Sequence, residues 1–290
     1  MSALVRLAEW QLLVVTGKGG VGKTTLTAVL GRLLAGRGKR VLLLEVDPRE
    51  SLHQVLGTEP SGGEIVQAEP RLFIQNLQPG AVIEEMVRDK VSIAYLARRI
   101  TESTAFHQFI EGAPGLKETA LLGHAYRMLH SGHPKVDLVI LDAPATGHGA
   151  TMLAAPGLLA KAAEGGQLGA LAADLAAFLA DPSRCGVVLA TLAEEMPVQE
   201  TLELIDLLQA KLGIRPALIV ANGLYPSVDE AAAPGRSTDF LRARQQLNES
   251  ELARLVEAWD GPLCHLPLLP LERGPTLVAE LAQLLSEADP

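Results

Sequence analysis

One stretch decides the fold of this 290-residue chain: Gly17-Lys18-Gly19-Gly20-Val21-Gly22-Lys23-Thr24-Thr25. It follows an apolar segment, residues 12–16, and it opens a segment with helical periodicity, residues 22–35. A glycine-rich loop between a strand and a helix that ends in Gly-Lys-Thr is the pattern of a P-loop, whose backbone N–H groups surround phosphate oxygens. Every residue from Gly17 to Thr25 is therefore a candidate nucleotide-binding residue.

The loop predicts the positions of further site residues. Lys23 is expected to reach the β and γ phosphates of a bound nucleotide, and the Thr24 hydroxyl is a candidate Mg²⁺ ligand. Asp142 and Asp47 each follow a predicted strand, and ligands of open α/β sheets bind at the carboxyl ends of strands. Asp142 is thus a second candidate Mg²⁺ ligand, directly or through a water. Asp47 is predicted to orient the attacking water, with a helix N-cap as the alternative.

Short apolar runs alternate with helix-length segments along the whole chain. This alternation predicts an α/β fold with a doubly wound, mostly parallel sheet of about seven strands. The strands are predicted at residues 12–16, 41–46, 72–77, 136–142, 186–191, 217–222 and 263–266.

The helices are predicted at residues 22–35, 82–100, 116–130, 197–212, 239–258 and 275–287. Two stretches, 81–131 and 150–180, exceed a minimal sheet unit, so we expect helical subdomain insertions in a single P-loop domain of residues 1–290. Leucines in the second stretch either pack between helices or line a ligand groove: Leu153, Leu158, Leu159, Leu168, Leu171, Leu175 and Leu179.

Composition excludes several classes of function. The 25 Lys and Arg against 34 Asp and Glu leave a net charge of −9, and aromatics make up only 3%, so nucleic-acid binding is not expected. Cys185 and Cys264 lie far apart, which argues against a disulfide framework and for a reducing compartment. No apolar run reaches about 18 residues and no leader pattern is found, so we expect a cytoplasmic protein without stable membrane insertion.

Lys18 is a second lysine within the loop, and its presence indicates a particular subclass of P-loop. With it, the loop resembles the deviant Walker A motif of the dimeric ATPases that include MinD, ParA, nitrogenase iron protein and the arsenite-pump family. The resemblance implies that Lys18 is catalytic and contacts the nucleotide of the opposing subunit, in a homodimer or in a heterodimer with a paralogue. It also implies that Asp47 is the catalytic aspartate of the first switch.

Three further segments resemble the arsenite-pump (ArsA) and tail-anchored-protein targeting (GET) ATPases, in family order. They are Ala113-Pro114-Gly115-Leu116-Lys117-Glu118, the second-switch segment Asp142-Ala143-Pro144-Ala145-Thr146-Gly147-His148, and Glu195-Met196-Pro197-Val198-Gln199-Glu200-Thr201. The same resemblance implies that Asn222, Pro267 and Leu268 contact the adenine. It implies Mg²⁺-dependent ATP hydrolysis that opens and closes a dimer, and an apolar helix or protein as client.

The chain departs from the family in its cysteines. The targeting ATPases carry a Cys-x-x-Cys zinc site at the dimer interface, whereas residues 223–263 contain no cysteine, and neither Cys185 nor Cys264 lies in an arsenite motif. A zinc-clasped dimer and arsenical transport are therefore not predicted. The alternative is a MinD- or ParA-like positioning protein with slow hydrolysis. Residues 277–290 lack the basic side chains that membrane attachment of the MinD type needs.

Overall fold

The structure, a computed structural model, describes residues 6–46, 50–90, 94–144, 148–163, 166–227 and 235–287. These ranges contain eight strands: β1 Leu12–Gly17, β2 Val41–Glu45, β3 Val66–Glu69, β4 Leu72–Asn76, β5 Leu138–Asp142, β6 Cys185–Leu192, β7 Leu218–Leu224 and β8 Leu263–Pro267. They form one sheet in the order β3-β4-β2-β5-β1-β6-β7-β8. Neighbouring strands are parallel, except that β3 is antiparallel to β4. The predicted α/β fold with a mostly parallel sheet is confirmed.

Helices connect the strands and cover both faces of the sheet. They are α1 Lys23–Gly36, α2 Ser51–Leu56, α3 Pro79–Lys90, α4 Ala94–Thr101, α5 Thr104–Gly112, α6 Leu116–Ser131, α7 His148–Ala162, α8 Gln167–Ala180, α9 Glu195–Leu212, α10 Arg236–Ala258 and α11 Pro275–Glu287. After β1 the chain crosses through α1 to β2 on one side, and β6 pairs with β1 on the other side. Such a reversal opens a crevice at the carboxyl end of the strands, and the P-loop lies there.

Strand β1 contributes to two hydrophobic clusters, because successive side chains of a strand point to opposite faces. Leu13 and Val15 are buried against helices α1 and α11 on one face. Leu12 and Val14 are buried on the other face with residues of α6, α7 and α8. The sheet is thus a middle layer, which explains why its central strands are apolar along most of their length.

The structure differs from the sequence-based expectation at one edge of the sheet. It adds β3 as an eighth strand, a short edge strand whose half-exposed Val-Gln-Ala-Glu sequence carries little strand signal. The helix predicted over 82–100 corresponds to α3 and α4, and residues 91–93 between them are not among the described residues. Residues of α6, α7 and α8 belong to the same hydrophobic cluster as residues of β1, β2 and β5. No helix of the described residues combines the length and apolarity needed to cross a bilayer.

A buried histidine joins α6 to the sheet. His124 is 4% exposed, and the guanidinium of Arg127 donates to its Nδ1 at 3.0 Å. The ring proton therefore sits on Nε2, which donates to the side-chain oxygen of Gln75 at 2.9 Å. Arg127 in turn pairs with Glu85 and Asp89 of α3. Burial, aided by the Arg127 charge and opposed by Glu85, lowers the pKa of His124 to about 4.

We expect this histidine to make stability depend on pH. Between pH 6.5 and about 4 the unfolded chain binds a proton at His124 that the folded protein does not, so stability falls as the pH drops through that window. The full effect is at most about 3 kcal/mol. Urea unfolding of the wild type and of His124→Gln at pH 7.5 and 4.5 measures it. The variant should lose less stability on acidification, while the exposed His107→Gln control should behave as the wild type; equal losses in all three would contradict the prediction.

Candidate functional site

The P-loop is shaped by two glycines that approach its neighbours closely. Gly17 has a φ of 146°, and a Cβ there would lie 2.2 Å from the carbonyl oxygen of Ala190 in β6. Gly22 has a φ of 88° and forms the N-cap of α1 without a side-chain cap. The first turn of α1 contains no acidic residue. Its N–H groups and positive dipole end are therefore suited to bind an anion.

Lys23 lies at the start of α1 and is 9% exposed. Its ammonium donates to the carbonyl oxygen of Lys18 at 2.8 Å, so it is folded back across the loop. Burial lowers its pKa, and the neighbouring Asp142 carboxylate partly opposes that shift. A buried cation in this position is stabilised when an anion enters the loop, which is what a phosphate supplies.

Thr24 and Asp142 meet beside Lys23. The Thr24 hydroxyl donates to Oδ2 of Asp142 at 2.6 Å, and the Thr27 hydroxyl makes a longer contact of 3.5 Å with Oδ1. Asp142 is 7% exposed, and its backbone pairs in register with Val15 of β1. A hydroxyl and a carboxylate oxygen at this distance fit Mg²⁺, which prefers hard oxygen ligands and completes its shell with water and phosphate. Thr27 has no part in the sequence motif and only the structure identifies it.

Lys18 contacts Glu200, a residue of the segment 195–201 for which the resemblance implied no specific role. Its ammonium lies 2.8 Å from Oε1 of Glu200 in the second turn of α9, and the two side chains are 29% and 31% exposed. Thr201, the next residue, is buried and its hydroxyl donates to the carbonyl oxygen of Pro197 within α9. The Glu200 side chain thus faces the loop, whereas the Thr201 hydroxyl bonds within α9.

The three residues predicted to contact the adenine lie at the ends of β7 and β8. Asn222 belongs to β7, and its amide nitrogen donates to the carbonyl oxygen of Val21 in the P-loop at 2.9 Å. Pro267 ends β8, and Leu268 is 47% exposed. The backbone N–H of Leu268 donates to the carbonyl of Leu224, which ties this loop to β7. The three residues therefore lie toward the carboxyl ends of two adjoining strands.

Part of the predicted switch machinery lies outside the described residues. This applies to Asp47 and to the stretch 145–147. Helix α7 begins directly after that stretch, and a Cβ at Gly149 would lie 2.2 Å from the Thr16 hydroxyl at the end of β1. The helix that follows the second-switch segment therefore packs directly on the strand that carries the P-loop.

The leucines of the stretch 150–180 divide into two groups. Four are buried, with relative exposures of 4% to 7%: Leu153, Leu159, Leu175 and Leu179. Three are exposed by 36% or more: Leu158, Leu168 and Leu171. The four buried leucines pack inside the protein, in agreement with the interpretation that they pack between helices. The three exposed leucines place apolar side chains of α7 and α8 at the surface.

Comparison with known proteins agrees with this site. The family model described as anion-transporting ATPase matches residues 10–170 and 167–287. The ATPase BagA of Mycobacterium tuberculosis is 31% identical over 260 residues, which cover 82% of this chain and 74% of that protein. The arsenical pump-driving ATPase of Escherichia coli is 29% identical over 95% of this chain and 49% of the relative. The ATPase GET3 of Mycosarcoma maydis is 25% identical over 94% and 90%.

These matches confirm the predicted resemblance to the ArsA and GET ATPases, and they confirm the assignment as an ATPase. The MinD- or ParA-like alternative is not favoured, because the family model and these relatives all belong to the other group. The match covers most of the chain, including the P-loop, the Asp142 strand and the Asn222 strand. The chain therefore belongs to the ArsA_ATPase family, the anion-transporting ATPases.

Proposed function

We propose that the protein hydrolyses ATP in the presence of Mg²⁺ and uses the cycle to open and close a dimer. The observation that carries the proposal is the pair of Thr24 and Asp142 oxygens, 2.6 Å apart, beside a buried Lys23 at an uncapped helix N-terminus. These groups supply positive charge for phosphates and oxygen ligands for Mg²⁺ at one point of the sheet.

Each residue has a defined task in this proposal. The N–H groups of the P-loop and the Lys23 ammonium hold the phosphates and offset their charge. Thr24 and Asp142 hold Mg²⁺, which when bound neutralises charge on the phosphate oxygens. Asp47 orients the attacking water, as the resemblance implies. Asn222, Pro267 and Leu268 enclose the adenine.

A purified-protein assay tests this function. We expect steady-state release of phosphate from ATP that requires Mg²⁺ and stops when the metal is chelated. Turnover no faster than that of Lys23→Ala protein would refute the proposal. The assay does not depend on a client, so it separates the enzymatic activity from the partner.

We further propose that Lys18 changes partner during the cycle. In the single subunit it is paired with Glu200. The ATP-bound dimer would be a homodimer or a heterodimer with a paralogue. In it, Lys18 would leave Glu200 and reach the phosphates of the opposing subunit. A half-exposed ion pair contributes at most about 1 kcal/mol, so a phosphate with several negative charges can replace Glu200.

Glu200→Gln should therefore favour the ATP-bound dimer. Without the ion pair Lys18 is free to cross the interface, and we expect half-maximal dimerisation at about twofold to fivefold lower concentration of a non-hydrolysable ATP analogue. Analytical ultracentrifugation measures the dimer fraction. Glu203→Gln, on the same helix and bonded to Gln199, is the control and should leave it unchanged. A higher analogue requirement in the Glu200 variant would contradict the partner exchange.

The remaining assignments stay proposals. We propose one ATPase domain over residues 1–290, with the helices of 81–131 and 150–180 as its helical subdomain. An apolar helix or protein client would meet the exposed Leu158, Leu168 and Leu171. No nucleic acid is expected as partner, because the chain is acidic. The cytoplasmic location stays a prediction.

A further inference from the structure

The side chain of Asn222 touches the phosphate loop itself. Its amide nitrogen donates to the carbonyl oxygen of Val21 at 2.9 Å, across 201 positions of sequence. The orientation of the amide follows from its partner, because only the NH₂ end can donate to a carbonyl. Val21 is 1% exposed, so its carbonyl oxygen has little access to solvent and needs a partner within the protein.

The loop is shaped to allow this contact. Gly22 follows Val21, and a Cβ there would lie 2.3 Å from the Asn222 amide nitrogen. A side chain at position 22 would therefore push the amide away from the loop. At its start the loop passes Gly17, where a Cβ would collide with the Ala190 carbonyl of β6. The P-loop is thus in close contact with both β6 and β7, which lie side by side on the same side of β1.

We propose that Asn222 is a positioning residue for the phosphates, in addition to its expected contact with the adenine. The hydrogen bond to Val21 anchors the middle of the P-loop to β7, so the N–H groups on either side of Val21 are aimed before a ligand arrives. This rests on the proposed nucleotide site. Asn222 would then contact both ends of that site, so the binding of the base and the binding of the phosphates would not be independent.

A ligand without a base distinguishes this role from base recognition. Inorganic tripolyphosphate with Mg²⁺ carries the phosphates and offers nothing to an adenine-reading group. We expect the full-length Asn222→Ala protein to bind tripolyphosphate about fivefold more weakly than the wild type in a calorimetric titration. This ratio corresponds to the loss of one hydrogen bond of about 1 kcal/mol. Leu268→Ala, at the base end, should weaken ATP and leave tripolyphosphate unchanged.

A measurement without ligand completes the test. Hydrogen exchange of residues 17–27 should be faster in Asn222→Ala than in the wild type, because the loop loses its anchor. Equal tripolyphosphate affinity and equal exchange in the two proteins would overturn the proposal and leave Asn222 as a base contact alone. A wild-type protein that binds neither ATP nor tripolyphosphate would instead refute the nucleotide site, and the positioning role with it.

Discussion

Lys23→Ala protein should hydrolyse ATP at least about 100-fold more slowly than the wild type, since removal of one preorganised charged donor typically costs a factor of about 10² to 10³. Lys23 is 9% exposed and stands at the opening turn of α1, beside the Thr24–Asp142 pair. Its charge acts on the phosphates at short range in a site with little water, so no exposed lysine can replace it.

Rates of phosphate release at saturating ATP and Mg²⁺ measure this effect. The matched control is Lys211→Ala, in the exposed last turn of α9, which removes the same charge from the protein far from the P-loop. Thermal unfolding of both variants confirms that they are folded. A Lys23 variant with more than a tenth of wild-type turnover would show that ATP hydrolysis at the P-loop does not depend on this cation.

Asp142→Asn should have a second effect of similar size, at least about a 100-fold loss of turnover together with a loss of the Mg²⁺ dependence of nucleotide binding. The carboxylate accepts the Thr24 hydroxyl at 2.6 Å and is 7% exposed. An asparagine has the same shape, but it removes the negative charge that a magnesium ligand or a magnesium-bound water needs.

Titrating the nucleotide with and without Mg²⁺ measures the metal dependence directly. Asp137→Asn is the control, because Asp137 precedes the same strand at its opposite end and pairs with Arg40, whose guanidinium lowers the pKa of that carboxyl to about 2. We expect the control to lose some stability and to keep the Mg²⁺ effect. An Asp142 variant that still binds nucleotide more tightly with Mg²⁺ would contradict its assignment as a metal ligand.

Local sequence predicted most elements within a few residues. The strand predicted at 12–16 is Leu12–Gly17, and the helix predicted at 275–287 is Pro275–Glu287. Apolar runs between helix-length segments are visible without knowledge of neighbours. The edge strand Val66–Glu69 was missed because its half-exposed residues make few apolar contacts, so its pairing with β4 is what keeps it extended.

The sequence by itself determined the glycine-rich loop, most of the strands and helices along the chain, and the family, because these depend on residues that are close in the chain. Only the tertiary structure decided that Lys18 pairs with Glu200, that Thr24 meets Asp142 across 118 positions, and that Asn222 holds Val21. Such contacts depend on which strands become neighbours and in which register. Burial of apolar residues on both faces of the sheet selects that arrangement, and no local pattern encodes it.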